Sequence, residues 1–212
     1  NEIGEICVSN PGVWPGNTYT EAAKNVDLYY EDKFLRTGDL GRLDEDGYLW
    51  ITGRAKDLII RGGHNIDPAQ IEEALMGHAS VAFAGAIGQP DVHSGELPCV
   101  YVELVADGEV TPDKLKAFCE EHVPERAAHP KYVEILDELP KTAVGKVFKP
   151  DLRKRAITRI FNEALSDAGL QASVVEVRDD KQLGLIACVS SEASDSEITA
   201  VLGGFANTWR RA

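Results

Sequence analysis

The sequence predicts an α+β protein, and three observations carry that expectation. Up to about Gly53 the chain alternates and turns like antiparallel strands, without a sustained helical period. Beyond Asp67, strand-like runs mix with helices whose starts are marked by Asp67-Pro68, Thr111-Pro112 and Ser194. Between them lies GRAKDLIIRGGHNIDPAQIEE, Gly53 to Glu73. It passes from a strand end through a polar pivot, an apolar run and a Gly-Gly loop to a capped helix, as a junction between two structural units would.

The elements follow in order. Glu2 to Ser9 alternates loosely and reads as a strand. Asn10 to Asn17, with Pro11, Gly12, Pro15 and Gly16, is a turn-rich loop. Glu21 to Val26 has room for one helical turn. Leu43 to Ile51 reads as a hairpin, its acidic turn ending at Gly47 before an aromatic, β-prone run. This β-rich piece is too small to enclose a core of its own. In the junction, Asp67 is the expected N-cap, Pro68 the first helical residue and Gln70 the partner in a capping box; Ile71 and Leu75 form an apolar i, i+4 pair.

Further on, Ser80 to Ile87 and Pro98 to Val105 are expected strands separated by a polar loop, Gly88 to Leu97. A helix should run from Thr111-Pro112 to His122, and a short strand from Tyr132 to Leu136. A loop covers Asp137 to Gly145, and a long helix starts at Pro150 and stops near Gly169. Ser173 to Val177 and Gly184 to Val189 read as strands about a turn at Asp179-Asp180. Ser194 to Trp209 reads as a last helix, with Ser194 and Glu197 spaced as a capping box.

Composition narrows the function. The 212 residues carry 22 Lys and Arg against 35 Asp and Glu, a formal net charge of −13. That balance disfavours nucleic acid or an anionic membrane as the main partner, though a local basic patch could bind phosphate. Cys7, Cys99, Cys119 and Cys188 are scattered with no CxxC pair, which argues against a zinc site or a disulfide scaffold and fits a reducing cytoplasm. No run approaches the ~18 apolar residues of a membrane span. The first residue, Asn1, falls in strand-like sequence, so the chain is expected to be a piece of something longer.

Chemistry concentrates in a few places. Leu139 to Arg153, LPKTAVGKVFKPDLR, places Lys141, Lys146 and Lys149 in a Gly- and Pro-containing stretch of an otherwise acidic chain. Lys146 follows Gly145, on a loop able to bend. A mobile ammonium there suits an anionic transition state at phosphorus; a solvated surface lysine is the plain alternative. Asp39, in Thr37-Gly38-Asp39, could bind ribose hydroxyls or cap a turn. Arg54 could reach a phosphate or pair with a carboxylate. Arg61-Gly62-Gly63-His64 lacks the GK[ST] ending of a nucleotide P-loop and reads as a tight turn able to line a channel.

Order and spacing then decide. RTGD at Arg36 to Asp39, GRAKDLIIRGGHNIDPAQIE from Gly53, and LPKTAVGK ending at Lys146 resemble, in order, the nucleotide, hinge and catalytic-lysine motifs of the adenylate-forming superfamily of acyl-CoA synthetases, adenylation domains and luciferases. GEICVSNPGVWPGNTYT is similar to the segment preceding RTGD there. The resemblance is strongest to the C-terminal portion of an AMP-forming acyl-CoA synthetase. Such enzymes activate a carboxylic acid with ATP and pass the acyl group to coenzyme A.

The resemblance implies the following. Residues 1–54 would close the large N-terminal AMP-binding domain, 55–158 would form the small mobile C-terminal lid, and 159–212 would be an added helix and strand-strand-helix extension. Asp39 would bind ribose, Arg54 the nucleotide, and Lys146 the carboxylate and α-phosphate. Lys56 would be the hinge, and Gly62, Gly63 and His64 would face the pantetheine of CoA. ATP would bring Mg2+, whose ligands would lie outside this chain. The chain alone would be inactive; its partners would be its N-terminal domain, a carboxylic acid and CoA, and a homo-oligomer is compatible with the sequence. An adenylation domain loading a carrier protein and a non-catalytic module of the same fold are the alternatives.

Overall fold

The computed structural model describes residues 2–13, 16, 18–180 and 182–212. The opening Asn1 and the expected loop positions Trp14, Pro15 and Asn17 lie outside the described residues. The chain divides into two compact units, Asn1–Leu58 and Ile59–Ala212. Strands and helices mix in the α+β class expected.

The first unit is an antiparallel sheet built on one long strand, β3. In chain order its strands are β1 (Gly4–Val8), β2 (Tyr29–Tyr30), β3 (Phe34–Leu43) and β4 (Leu49–Arg54), and β1, β2 and β4 all pair with β3. One 3₁₀ turn forms at Ala22–Asn25, and another, Ala55–Asp57, follows β4. The β3–β4 hairpin is closed by Asp44, whose carboxylate accepts from the Asp46 and Tyr48 N–H groups and from Trp50 Nε1, with Gly47 at φ +83°.

The second unit has three layers. Its strands β5 (Ile59–Arg61), β6 (His64–Ile66), β7 (Val81–Asp91), β8 (Gly95–Leu104) and β9 (Tyr132–Leu136) form one sheet in the order β6-β5-β8-β7, with β9 parallel to β8. Helices α1 (Ala69–Met76) and α2 (Pro112–His122) cover one face; Ile71, Leu75, Leu115 and Cys119 meet Ala84, Ala86, Val100 and Val102. The N-terminal half of α3 (Lys149–Asp167) covers the other, where Leu152 and Ala156 meet Ile87, Cys99 and Tyr101. Covering both faces makes β8 an almost continuous apolar run instead of an alternating one. Gly85 on β7 belongs to this close packing: a Cβ there would meet Leu152 Cδ1 at 2.6 Å and Val147 Cγ1 at 2.9 Å.

Helix α3 continues into a second core. Ile157, Phe161 and Leu165 pack on a sheet of β10 (Ala172–Asp180), β11 (Gly184–Ser191) and β12 (Thr208–Arg211), together with Ile198 and Leu202 of α4 (Asp195–Leu202). Ser194 and Glu197 close a capping box at the start of α4.

Four expectations are corrected. The loop placed at Gly88 to Leu97 is mostly hairpin: β7 runs to Asp91 and β8 starts at Gly95, with Pro90 paired to Glu96. Gln89 reads as a loop residue, but it is buried and accepts from Arg159 Nη2 at 2.6 Å. The turn expected at Asp179-Asp180 lies further on, because both residues stay in the ladder opposite Leu185 and Gly184. The last helix ends at Leu202, with Gly203 as its C-cap, and Thr208–Arg211 forms a strand parallel to β11. At α1, Asp67 caps the Ala69 N–H at 2.9 Å, but no capping box forms: the Gln70 amide donates to Glu125 Oε2 instead, at 2.9 Å.

The tight fit at Gly85 gives a direct test. Gly85→Ala is expected to cost about 1–3 kcal/mol, as overpacking of a filled core does; denaturant unfolding of the purified chain measures it, and an unchanged midpoint contradicts the packing described.

Candidate functional site

The site residues fall in both units. In the first, Arg36 to Asp39 lie on β3 beside β1. Gly38 takes φ +75°, a left-handed conformation favoured by glycine, and its N–H donates to Glu5 Oε1 at 3.2 Å. Glu5 Oε2 also takes Arg36 Nε at 2.9 Å, and Thr37 Oγ1 donates to the Ile6 carbonyl at 2.8 Å. Thr37 Oγ1 accepts in turn from the Asp39 N–H at 3.1 Å. The motif is thus held to β1 at its glycine and at the two residues before it. Asp39 and Arg54 are cross-strand partners, and Arg54 Nε donates to Asp39 Oδ1 at 2.8 Å. Lys56 sits in the 3₁₀ turn Ala55–Asp57, two residues before the end of the first unit.

In the second unit, Gly62 and Gly63 join β5 to β6. Their φ values, +55° and +85°, are those of a type I′ hairpin turn. No atom comes within 4 Å of a Cβ built on either glycine, so the turn faces open space. Its base is fixed: the Gly62 N–H donates to the Ser94 carbonyl at 2.7 Å and Arg61 Nη1 to the Ala127 carbonyl at 2.6 Å. His64 is exposed, with Nδ1 3.9 Å from Glu125 Oε1.

The lysine loop is a small hairpin. Lys141 and Val147 form an isolated antiparallel bridge. The Thr142 N–H donates to the Lys146 carbonyl at 2.7 Å, the Gly145 N–H to the Thr142 carbonyl at 2.8 Å, and the Phe148 N–H to the Pro140 carbonyl at 2.7 Å. Gly145 has φ +79°. The three lysines then separate. Lys141 Nζ lies 2.6 Å from Glu103 Oε2, and Lys149 Nζ 2.9 Å from Glu72 Oε1. Lys146 is exposed at the end of the hairpin, and among the described residues nothing forms a hydrogen bond or ion pair with its Nζ.

Burial by itself pushes the Glu103 carboxyl up. Hydrogen bonds from Lys141 Nζ and the Leu139 N–H, with the Lys141 charge, outweigh that and hold it below its usual range. Two of the thiols are unsuited to nucleophilic work: burial pushes Cys99 and Cys119 up to about 12. Among the described residues, no group of three or more His, Cys, Asp or Glu is placed to hold a metal ion, and no helix is long and apolar enough to cross a membrane.

Sequence reasoning missed the carboxylates that hold these loops, Glu5, Glu103 and Glu125, and assigned no role to Glu72. A signal existed for Glu103: it is the one charge in the apolar run Pro98 to Val105, and a charge so placed needs a partner. The other three depend on contacts that only the fold creates.

Residues 70–146, from the first turn of α1 to Lys146, match the AMP-binding enzyme C-terminal domain. The chain carries the C-terminal domain of the adenylate-forming enzymes. This adenylate-forming C-terminal domain is similar to marinolic acid–CoA ligase of Pseudoalteromonas sp. (strain SANK 73390), 42% identical over 203 residues, covering 95% of this chain and 31% of the relative. It is 43% identical over 151 residues to 2-succinylbenzoate–CoA ligase of Bacillus cereus (strain Q1), covering 71% of this chain and 30% of that protein. Among solved structures it resembles o-succinylbenzoate CoA synthetase from Bacillus subtilis in complex with the acyl-adenylate intermediate OSB-AMP, with TM-score 0.63 and 36% identity over 72% of this chain and 30% of that one. The same synthetase with ATP and magnesium ion gives TM-score 0.62 at 36% identity, over 71% of this chain and 30% of that one. The chain thus spans about 30% of the length of the relatives it matches.

The Gly-Gly turn supplies a test of the site geometry. Gly62→Ala and Gly63→Ala each force a side chain into left-handed backbone and are expected to cost about 1–2 kcal/mol. Amide hydrogen exchange should show faster exchange in β5 and β6 than in β9; equal protection in variant and parent refutes the turn assignment.

Proposed function

We propose that this chain works as the C-terminal part of an AMP-forming acyl-CoA synthetase, an acid–thiol ligase. In the first half-reaction a substrate carboxylate oxygen attacks the α-phosphorus of ATP and pyrophosphate leaves. In the second, the thiol sulfur of CoA attacks the acyl carbonyl and AMP leaves. The observation that carries the reading is Lys146: of the three lysines in its loop, it is the one raised on a hairpin end while Lys141 and Lys149 are tied to glutamates. A cation so placed can meet the charge building on the carboxylate and α-phosphate.

Asp39 takes the ribose hydroxyls and Arg54 the nucleotide; their mutual ion pair is solvent-exposed and weak enough to yield to a ligand. Gly62, Gly63 and His64 line the pantetheine path, since a turn without side chains at two positions lets a ligand approach closely. Lys56 is the hinge between half-reactions, supported by the boundary between compact units falling just beyond it. ATP and CoA are the cosubstrates, with Mg2+ entering on ATP, and the N-terminal domain supplies the acyl pocket. Residues 1–54 belong to that domain, 55–158 to the mobile lid and 159–212 to an added extension. The match to marinolic acid–CoA ligase, over 203 residues, takes in most of that extension. The free cysteines among the described residues fit a cytoplasmic site.

The experiment uses the longer enzyme that contains this chain. Acid-dependent ATP–pyrophosphate exchange, run with a panel of carboxylic acids, should fall roughly 10²–10³-fold in Lys146→Ala. Thioester formation from supplied acyl-adenylate should survive. Equal loss of both half-reactions contradicts the role given to Lys146, and no exchange with any acid removes the ligase reading. Lys56→Pro, which locks φ at the pivot, should impair one half-reaction selectively; no effect on either excludes it as the hinge.

A further inference from the structure

The hairpin that carries Lys146 packs at its base, where Leu139 is buried and Val147 lies against the core of Ile87, Tyr101 and Leu152. Its end is solvent-facing, with Val144 79% exposed, and its single β-bridge joins Lys141 to Val147. Ion pairs add to that packing at its two ends. On the entering side, one oxygen of Glu103 accepts from the Leu139 N–H at 2.7 Å and from Lys141 Nζ at 2.6 Å. Lys141 Nζ also lies 4.4 Å from the centre of the Phe83 ring, a cation–π contact. On the leaving side, Glu72 Oε1 accepts from the Ala86 N–H at 2.8 Å and sits 2.9 Å from Lys149 Nζ.

These are not ordinary surface pairs. The side chains of Lys141 and Glu103 are 20% and 15% exposed, and those of Lys149 and Glu72 16% and 22%. Each carboxylate is held by a backbone N–H as well as by an ammonium, which fixes its geometry and adds charge-assisted hydrogen bonding. Both carboxylates stand on the rigid part of the unit. Glu103 is the last residue but one of β8, the strand to which β5, β7 and β9 all pair; Glu72 lies on α1, next to the fully buried Ile71.

We propose that Glu103 is a positioning residue for adenylation: through the Leu139 N–H and Lys141 it anchors the strand leading to Lys146, while Glu72 anchors the strand leaving it through Lys149. The ammonium of Lys146 then starts its reach from a defined backbone position, leaving only side-chain freedom to be lost at the reacting phosphate. Glu103 touches no substrate. Its effect passes through the hairpin, so it belongs to the half-reaction that uses Lys146 and not to acyl transfer. The proposal rests on the role given to Lys146 above.

The test again uses the longer enzyme, with Glu103→Gln, Lys141→Met, their double variant and Lys146→Ala in parallel. Glutamine keeps an acceptor for the Leu139 N–H and removes the charge. Pyrophosphate exchange should fall roughly 10- to 100-fold in Glu103→Gln, the loss that misplacement of a reacting group brings. Thioester formation from supplied acyl-adenylate should stay at the parent rate. The double variant should be no worse than the weaker single one, because both substitutions break one contact. Amide exchange across 142–148 should speed up while β7 and β8 keep their protection. Lys141→Met leaves the Glu103 carboxylate in place, so it tests the same contact if Glu103→Gln fails to fold. Equal loss of both half-reactions, additive losses in the double variant, or unchanged exchange and protection in Glu103→Gln overturns the proposal. If Lys146→Ala itself retains exchange, the role of Lys146 falls instead, and amide exchange alone then decides whether Glu103 holds the hairpin.

Discussion

The second unit depends on one constraint, the burial of β8 on both faces. Cys99 and Tyr101 point into the core under α3, while Val100 and Val102 point into the core under α1 and α2. A strand so enclosed has one register, because a slip of one residue exchanges its two faces and would put each set of side chains against the wrong helices. Strand β7 reads that register along most of its length, β9 adds a parallel neighbour, and β5 joins at Arg61. The Gly-Gly turn and the lysine hairpin therefore hang from the same strand, one by way of β5 and the other by way of Glu103.

Carboxylates do most of the positioning in this acidic chain. Glu5 holds the RTGD turn, Glu125 lies beside His64 and takes the Gln70 amide, and Glu103 and Glu72 hold the ends of the lysine hairpin. At a net charge of −13 an unpaired cation is the exception. These glutamates spend their charge on backbone N–H groups and structural lysines. Around the hairpin this leaves the Lys146 ammonium uncompensated among the described residues.

Helix α3 links the two cores of the second unit. Leu152 and Ala156 belong to the first, and Ile157, Phe161 and Leu165 to the second. Where the two meet, the Arg159 guanidinium lies 3.5 Å from the centre of the Tyr132 ring and donates to Gln89. Such a planar cation can stack and hydrogen-bond at once, which suits a half-buried junction between an aromatic surface and a polar side chain. The part of the chain beyond α3 is therefore joined to the sheet of β7 and β9 by a continuous helix and specific contacts.

The sequence by itself determined the α+β class, most of the elements and the three motifs, because these rest on local physics. Pro and Thr mark the start of α2, Ser194 and Glu197 cap α4, glycines supply the left-handed turns at Gly62, Gly63 and Gly145, and β8 announces its burial by its apolar run. The Gly203-Gly204 stop of α4 was also there to be read. Only the tertiary structure decided that Gly88 to Leu97 is mainly a hairpin, since its polar Gln89 becomes a strand residue only when Arg159 arrives from α3. It also decided that Thr208–Arg211 is a strand, since that stretch needs β11 alongside it. Among the three lysines of one loop, sequence offers the same chemistry three times. Which are tied down depends on Glu103 and Glu72, brought to the hairpin from β8 and α1 by the fold, and an ion pair between residues so far apart in the chain has no local signature.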